Sequence, residues 1–488
     1  MSERLQRLAL AILQPGFAGH TAPDWVHRHV AGGLGSVGLF GRNIATPEQV
    51  TALTRELRRD NPDLIVAIDE EGGDVTRMHV NTGSMWPGNL ALGIVDDVEL
   101  TEGVARGLGR ELAGYGVNLN WAPSADVNSN PDNPIIGVRS FGADPELVAA
   151  HTAAYVTGLQ AAGVAACVKH FPGHGDTAID SHLGLPRVDV SRETLAAREL
   201  VPFHASIAAG TKAIMTAHIL LPAYDTEVPA TLSRRIMTGL LREELGYDGL
   251  IVTDAIEMGA VAHTYGIADG TVRAIAAGVD AVCVGGGLCD EETVLHLRDA
   301  LVAAVVEGRL PEERLAEAAG RVHALAAWAK VGDAEPVDHA LGLAVARRAI
   351  RVTGTVEPIT VAPHVVELAP TANIAVGEQT PWGVGAILAE LLPGTTVARF
   401  RTAEPQLVDD QLRAAVDRPL VVAVRNLDRH AWATEIVASL LAARPDAVVV
   451  EMGLPGAATP GAAHLATYGA AKVCGIAAAE ILTGRRLD

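Results

Sequence analysis

Residues 169–182 concentrate groups that can transfer protons. The segment reads KHFPGHGDTAIDSH and holds one lysine, three histidines and two aspartates, directly after the strand-like run 164–168. Imidazoles are most useful where a proton must move near neutral pH. Each single histidine has a structural alternative, in which it only bonds to the loop backbone. The density of the whole group predicts a functional site.

The triplet Asp180, Ser181 and His182 suits general acid and base catalysis. An aspartate bonded to one ring nitrogen of His182 would fix the tautomer and leave the other nitrogen to deliver a proton. A serine hydrolase triad is not indicated, because no G-x-S-x-G motif surrounds Ser181. The spacing of the histidines and aspartates matches none of the common zinc signatures, so we expect no metal.

Asp254 ends the strand-like run 249–254. A carboxylate on a rigid strand end suits a nucleophile, because covalent catalysis depends on fixed geometry. Position alone equally allows Asp254 to be the N-cap of the following helix. Both interpretations stay open at this point.

A further group of polar residues suits the binding of a sugar. Asp69 ends another strand and precedes Glu70 and Glu71, and since three close acids repel one another, we expect one to face the substrate. Asp69 would accept hydrogen bonds from sugar hydroxyls. The candidate donors are Arg77, Arg139, Lys169 and His170. For a single arginine, a surface ion pair is the commoner role.

Eight short apolar runs alternate with amphipathic helical segments in the first 290 residues. They are Leu8–Leu13, Gly35–Phe40, Leu64–Ile68, Val117–Trp121, Val164–Val168, Ala213–Thr216, Leu250–Thr253 and Ala281–Val284. The first run could equally be a helix. Eight parallel strands with helical crossovers close a TIM barrel, whose active-site face lies at the C-terminal strand ends. The candidate residues follow several of these runs, where that fold requires them.

The pattern breaks with Gly and Pro at 331–336, and a helix is expected at Leu341–Arg351. Further strands are expected at Ile359–Val361, Asn373–Val376, Thr396–Phe400, Leu420–Val424 and Ala447–Val450, with helices near Gly383–Leu392 and Thr434–Ala443. The sequence thus predicts an α/β protein. A (β/α)8 TIM-type barrel would be the catalytic domain at 1–334, and a smaller α/β sandwich domain would follow at 335–488. The loop Met452–Gly456 carries no cluster of titratable groups, so we expect it to be structural.

Composition excludes several classes of partner. The net charge of -20 and the lack of a basic stripe argue against nucleic-acid binding. The four cysteines are sparse and indicate neither a disulfide framework nor structural zinc. No apolar stretch reaches the roughly 18 residues that span a bilayer, and the first residues lack a signal h-region. We therefore expect a cytoplasmic protein without a membrane partner.

Five motifs in order resemble glycoside hydrolase family 3, and specifically its β-N-acetylglucosaminidase branch. They are GLFGRN at 38–43, IDEEGG at 68–73, NPIIGVRSFG at 133–142, KHFPGHG at 169–175 with DSH at 180–182, and VTDAIEM at 252–258. The resemblance covers roughly residues 8–330. One departure is Asp74, where the family usually has Arg, so a charge near the sugar-binding strand is reversed.

The resemblance implies a role for each candidate residue. Asp254 would be the nucleophile, His182 the acid/base and Asp180 its partner. The terminal sugar would be held by Asp69, Arg77, Arg139, Lys169 and His170. The Asp-Ser-His triplet favours N-acetylglucosamine, because many family 3 β-glucosidases take a carboxylate acid/base from outside this loop.

The implied reaction is double displacement with retention, without a cofactor, on a small GlcNAc-containing glycoside. The natural substrate would be a recycled muropeptide fragment or an imported chitin disaccharide. A phosphorylase is an alternative, because an imidazole base does not repel an incoming phosphate as a carboxylate does. A catalytically silent sugar-binding protein is a second alternative, against which the intact Asp254, Asp180 and His182 argue. The sequence indicates no oligomeric state.

Overall fold

The chain forms two compact units. The computed structural model describes residues 2–329, 337–371 and 375–487. The first unit contains Met1–Glu71, Thr101–Ile136 and Gly142–Asp338, and the second contains Gly72–Leu100, Gly137–Phe141 and His339–Asp488. The predicted boundary between 334 and 335 lies outside the described residues and stays a prediction.

Eight parallel strands form the centre of the first unit. They are β1 (Leu13–Pro15), β2 (Ser36–Leu39), β3 (Ile65–Ile68), β4 (Leu119–Asn120), β5 (Ala165–Phe171), β6 (Ala213–Thr216), β7 (Leu250–Thr253) and β8 (Val282–Val284). Strands β2 to β7 pair in chain order, and β1 pairs with β8. The amide of Thr253 donates to the carbonyl of Ala281 (3.0 Å) beside β8, and the hydroxyl of Ser36 donates to the carbonyl of Leu13 (3.2 Å) between β2 and β1. This arrangement confirms the predicted TIM-type fold.

Helices follow most of these strands. In chain order they are α1 (Glu3–Ala11), α2 (Asp24–Ala31), α3 (Pro47–Asp60), α4 (Asn89–Val95), α5 (Val98–Gly114), α6 (Pro145–Ala161), α7 (Arg192–Ala197), α8 (Val201–Ala208), α9 (Gly259–Ala277), α10 (Glu291–Val306) and α11 (Glu312–Trp328). Of these, α4 and the first residues of α5 belong to the second unit. A π-helical segment, Arg235–Glu244, lies between β6 and β7. Local sequence fixes several helix starts: α3 begins with Pro47 after Thr46, whose side chain accepts from the amide of Gln49 (3.2 Å).

The first predicted strand is wrong in position. Most of the run Leu8–Leu13 belongs to helix α1, and β1 begins only at Leu13. Leu and Ala, which fill this run up to Ala11, are strong helix formers, whereas strands favour β-branched residues. Leu5, Ala9 and Leu10 lie on the apolar face of α1 and are buried. The run is apolar because this face of the helix packs in the interior.

The second unit is built on a six-stranded sheet. Its strands are β9 (Arg351–Gly354), β10 (His364–Leu368), β11 (Thr396–Phe400), β12 (Leu420–Val424), β13 (Val448–Glu451) and β14 (Ala463–Ala466). The spatial order is β11-β10-β12-β13-β14-β9, and every pairing is parallel except that of the edge strand β9 with β14. The helices are α12 (Ala340–Ala349), α13 (Gly385–Leu391), α14 (Leu407–Ala414), α15 (Ala431–Ala443) and α16 (Lys472–Thr483).

Helices cover both faces of this sheet. Alternate residues of a strand point to opposite faces, and the two apolar clusters separate accordingly. One cluster joins Val421 of β12 to helices α12, α13 and α16, and the other joins Val422 to helices α14 and α15. The second unit is therefore the predicted α/β sandwich.

In the second unit one predicted strand is wrong, one falls partly outside the described residues, and three observed strands were not predicted. Ile359–Val361 is not a strand: it lies between Pro358 and Pro363, which cannot donate to a ladder, and the amide of Ile359 bonds to the carbonyl of Leu482 (2.7 Å) instead. The run Asn373–Val376 falls partly outside the described residues, and its described part is a turn. Strands β9, β10 and β14 were not predicted.

Among the described residues, no helix has both the length and the apolar character needed to cross a membrane.

Candidate active site

Several predicted site residues lie at the carboxyl ends of neighbouring barrel strands. They are Asp69 after β3, Lys169 and His170 at the end of β5, and Asp254 after β7. Parallel strands of one barrel present their carboxyl ends at the same rim. The fold therefore brings these residues to one edge of the barrel.

Asp254 is oriented by the backbone and is ionised. Its Oδ1 accepts a hydrogen bond of 2.7 Å from the amide of Ala255, and the residue is half-buried. Burial alone would raise the pKa of Asp254, but the surrounding imidazoles, where protonated, outweigh it and lower the pKa to about 2. These imidazoles belong to His170, His218 and His182. A carboxylate held in this way has the charge state that a nucleophile requires.

Lys169 joins two acids of the loop after β3. Its ammonium Nζ contacts Oδ1 of Asp69 and lies 2.7 Å from Oε1 of Glu71. The side chains of Lys169 and Glu71 are 2% and 3% exposed, whereas that of Asp69 is 25% exposed. Glu70 is fully buried. Of the three acids, Asp69 therefore has the accessible carboxylate, as a sugar ligand requires.

Asp126 orients His170, a role that the sequence did not indicate. Its Oδ2 lies 2.7 Å from Nδ1 of His170 and also accepts from the hydroxyl of Ser124 (3.0 Å), while Oδ1 accepts from the amides of His170 and His174. Burial would raise the pKa of Asp126, but the two histidines hold it well below its usual range. Its position after β4 was the only sequence signal, because its partners lie more than 40 residues away.

His174 fixes the middle of the predicted loop. Its Nδ1 lies 2.8 Å from the hydroxyl of Thr177 and its Nε2 lies 3.0 Å from that of Ser181. Burial, with the nearby His170, lowers the pKa of His174 to about 4. A neutral imidazole that bonds to two hydroxyl groups holds the loop in its conformation. His174 therefore has the geometry of a structural residue and not that of a proton donor.

Asp180 and His182 form the predicted pair. Oδ1 of Asp180 lies 2.7 Å from Nδ1 of His182 and also accepts from its backbone amide (2.8 Å). Burial would raise the pKa of Asp180, but these bonds outweigh it and lower the pKa. With Nδ1 engaged, Nε2 of His182 is the nitrogen that can exchange a proton with a ligand.

Two backbone hydrogen bonds tie this pair to the start of helix α9. The amide of Gly259 donates to the carbonyl of His182 (3.2 Å), and the amide of Ala260 donates to the carbonyl of Ser181 (3.3 Å). Helix α9 begins five residues after Asp254. The loop after β5 is thereby brought to the end of the barrel that carries Asp254, and His182 interacts electrostatically with Asp254.

His218 is a second residue whose role was not predicted from the sequence. It follows β6, is buried, and lies with Nδ1 2.8 Å from the hydroxyl of Thr231. Its Nε2 donates to the carbonyl of Ala255 (3.1 Å), which requires the proton on Nε2. Burial lowers the pKa of His218. His218 therefore holds the peptide that follows Asp254.

Arg77 and Arg139 belong to the second unit, unlike the other predicted site residues. The guanidinium of Arg77 donates to the carbonyl of Ala375 (2.7 Å). Arg139 is buried, and its carbonyl accepts from the side chain of Asn89 (2.7 Å). Their predicted role in holding the sugar stays a prediction.

The reversed charge at Asp74 has partners within the second unit. Its carboxylate accepts from the guanidinium of Arg425 and from the amide of Ala470 (2.6 Å). The side chains of Asp74 and Arg425 are 1% and 11% exposed. The carboxylate of Asp74 is thus paired with a guanidinium that lies 351 positions later in the chain.

At the carboxyl ends of β12 and β13 in the second sheet, a buried carboxylate bonds only to the backbone among the described residues. The carboxylate of Glu451 accepts from three backbone amides, those of Asn426 (2.8 Å), Leu427 (2.9 Å) and Gly453 (2.7 Å). Burial raises the pKa of Glu451 despite these bonds. The loop Met452–Gly456 is therefore anchored by the chain's own carboxylate.

Sequence relatives agree with this geometry. The family described as "Glycosyl hydrolase family 3 N terminal domain" matches residues 13–325. The chain is 38% identical over 314 residues to "Beta-hexosaminidase A" of Pseudoalteromonas piscicida, a match that covers 59% of this chain and 52% of that protein. The chain thus spans about half the length of this relative. It is also 39% identical over 305 residues to "Beta-hexosaminidase" of Xylella fastidiosa (strain M23), covering 60% of this chain and 86% of that one.

A solved structure resembles the chain over nearly its whole length. It is a glycoside hydrolase family 3 β-N-acetylglucosaminidase from Paenibacillus sp. str. FPU-7, with a TM-score of 0.88 and 36% sequence identity. The match covers 99% of this chain and 97% of that one. The chain therefore belongs to glycosyl hydrolase family 3.

Proposed function

We propose that this protein is a retaining exo-β-N-acetylglucosaminidase that removes non-reducing terminal GlcNAc through a covalent glycosyl-enzyme. The observation that carries the proposal is the combination of an ionised, backbone-oriented Asp254 with the bonded pair of Asp180 and His182 at the same end of the barrel. The names of the relatives, β-hexosaminidase and β-N-acetylglucosaminidase, support the choice of sugar.

In the first step, an oxygen of Asp254 attacks the anomeric carbon while the bond to the leaving oxygen breaks. His182, protonated on both nitrogens, gives its Nε2 proton to that oxygen and keeps its Nδ1 proton, which it donates in a hydrogen bond to Asp180. The products are a glycosyl ester of Asp254 and the free leaving group. Asp180 stabilises the imidazolium before the transfer and fixes the ring orientation afterwards.

In the second step, neutral His182 accepts a proton from water at Nε2, and the water oxygen attacks the anomeric carbon. The ester bond breaks, Asp254 returns as a carboxylate and His182 returns as an imidazolium. Each step inverts the anomeric carbon, so the product retains its configuration. The usual retaining pair is two carboxylates, and here a histidine replaces one of them.

Asp69, Lys169 and His170 are the proposed ligands of the terminal sugar within the barrel unit. The accessible carboxylate of Asp69 would accept from sugar hydroxyls, and Lys169 holds that carboxylate in place. His170, oriented through Nδ1 by Asp126, would present Nε2 to the sugar. Arg77 and Arg139 are kept as proposed ligands on the family resemblance.

The test is turnover of an aryl β-N-acetylglucosaminide with and without inorganic phosphate. We expect hydrolysis at the same rate in both conditions, with the β-anomer of GlcNAc as the first product. Formation of a sugar 1-phosphate would identify a phosphorylase instead. An absence of turnover in both conditions, with the protein folded, would contradict the enzymatic proposal and favour a sugar-binding protein.

The natural substrate is proposed to be a muropeptide fragment or a chitin oligosaccharide, and the first would place the enzyme in cell wall recycling in the cytoplasm. The two substrates should be compared in one reaction at equal concentration, since the ratio of products then gives the ratio of kcat/KM directly. A ratio above about ten would identify the preferred class.

A further inference from the structure

The junction between helices α7 and α8 contacts the segment that carries the acid/base. Arg198 and Glu199 lie in this junction. The guanidinium Nη2 of Arg198 donates to Oδ2 of Asp176 (2.6 Å), and its Nε donates to Oε1 of Glu199 (2.7 Å). One arginine therefore joins Glu199 to the middle of the loop 169–182.

Glu199 also packs directly on this loop. Its side chain is 0% exposed, and its Oε2 has no hydrogen-bond partner among the described residues. A Cβ placed on Gly173 would lie 2.7 Å from Cβ of Glu199 and 2.8 Å from Oε2, and Gly173 has a φ of +124°. Glycine is the residue that allows both this close approach and this backbone angle. The carboxyl group thus fills the space beside the turn at Gly173.

The charges that face Glu199 come from three elements. Arg198 lies beside it in the junction, Asp176 lies on the loop, and Asp126 follows β4. Burial is the largest influence, and together with the two aspartates it outweighs the arginine and raises the pKa of Glu199 to about 7. The residue therefore changes its charge in the neutral range while enclosed by the loop.

We propose that Glu199 is a positioning residue whose proton controls the closure of the loop that carries Asp180 and His182. With the proton on Oε2, the neutral carboxyl group packs against Gly173, and Oε1 still accepts from Arg198. Loss of the proton places a negative charge between Asp126 and Asp176, and this charge is relieved when the loop moves and water reaches Glu199. The inference rests on the proposed function only in naming His182 as the acid/base.

The direction of the pH effect follows from linkage. A released, hydrated Glu199 would titrate near the ordinary value for glutamate, below that of the enclosed group, so the closed loop binds the proton more tightly. The closed loop is therefore favoured at low pH and loses stability as the pH rises toward and through 7. His174 acts in the opposite direction between about pH 4 and 6.5, because it must stay neutral for its two hydroxyl contacts, so the effect of Glu199 is the difference between the wild-type chain and Glu199→Gln.

The experiment is hydrogen exchange of residues 172–182 between pH 5.5 and 8, corrected for the intrinsic exchange rate. Relative to Glu199→Gln, which retains His174, we expect the protection of the wild-type chain to fall about ten-fold across this range. Glu199→Gln mimics the protonated form, so its own protection should not fall as the pH rises. Glu193→Gln, an exposed glutamate on the adjacent helix α7, is the matched control and should behave as the wild type.

A second variant tests the proposal without a substitution at the fully buried Glu199. Asp176 is 28% exposed, so Asp176→Asn should fold normally. It removes a repelling charge and leaves Arg198 to pair with Glu199, so Glu199 should lose its proton more easily. We expect the midpoint of loop loosening to move to lower pH by at least about half a unit.

Activity provides the third readout. In Glu199→Gln the alkaline limb of kcat/KM should move to higher pH, with KM at pH 6 unchanged within about two-fold. An equal pH dependence of exchange in the wild-type chain and in Glu199→Gln would overturn the inference. The exchange readout needs no substrate. A chain without glycosidase activity that still shows the pH-dependent exchange would contradict the proposed function and leave the loop control intact.

Discussion

The carboxyl ends of the barrel strands and those of the second sheet hold their carboxylates in different ways. At the barrel rim, Asp69 keeps 25% of its side chain exposed, and Asp254 is half-buried with one bond to a backbone amide. At the second sheet, Glu451 is 1% exposed and three backbone amides bind it. Both edges are places where parallel sheets bind ligands.

Location at a strand end is therefore not sufficient for chemistry. A carboxylate can act on a ligand when part of its side chain stays accessible. Glu451 instead occupies the amides that would otherwise attract an anion. The predictions below separate the two edges, since substitutions at the first should change activity and those at the second should change stability.

The largest effect is expected at Asp254. Asp254→Asn keeps the size of the side chain but removes the proposed nucleophile, so kcat should fall by about 10⁴-fold or more. Steady-state turnover of an aryl β-N-acetylglucosaminide measures this. Labelling by a fluorinated sugar should also disappear, while binding of GlcNAc should remain. Persistent labelling at another residue would refute the assignment.

His182→Ala should come next, and its effect should depend on the leaving group. A sugar leaving group needs the proton, so kcat/KM should fall by about 10²- to 10⁴-fold. A dinitrophenolate leaves without a proton, and there the loss should be about ten-fold or less. An equal loss with both substrates would show that His182 binds the sugar and does not protonate the leaving oxygen.

His174 should make the loop sensitive to acid. In the unfolded chain an ordinary histidine takes up its proton near pH 6.5, whereas buried His174 takes it up only near pH 4. The unfolded state therefore binds more protons between these values, and stability falls as the pH drops through this window. The contribution is up to about 3 kcal/mol. Denaturant unfolding at pH 7 and pH 4.5 measures it, and His174→Gln should lose part of the difference.

The smallest effect on activity is expected at Glu451. Glu451→Gln weakens its bonds to three amides and should lower the free energy of unfolding by about 1–3 kcal/mol. Thermal unfolding with a parallel assay of kcat per folded molecule tests this. The kcat should stay within about two-fold of the wild type. A loss of kcat like that of Asp254→Asn, without a change in stability, would remove the distinction between the two edges.

Sequence reasoning found the barrel because its strands are short apolar runs followed by polar residues. It failed where local composition suits another structure. The Leu- and Ala-rich start forms helix α1, strand β9 is exposed at the sheet edge, and β14 is a four-residue run with two alanines. Such segments become strands only through their neighbours, which a local pattern does not contain.

The dependence on distant neighbours also explains why some partners in the site were not predicted. Residues on one short segment, such as Asp180 and His182, can be paired by spacing alone. Asp126 and His170 are 44 residues apart, and Arg198 and Asp176 are 22 apart. Their contacts depend on the ring order of the strands, so the fold is needed before the partners can be named.

The ion pair of Asp74 with Arg425 has a consequence for the order of events during synthesis. The two residues are 351 positions apart. At about 5–20 residues per second, Asp74 leaves the ribosome roughly 20–70 s before its partner exists. During that interval the segment Gly72–Leu100 is connected to the barrel strands but lacks most of the unit to which it belongs. Completion of the nascent chain, and not folding of the barrel alone, therefore sets the earliest time at which the second unit can assemble.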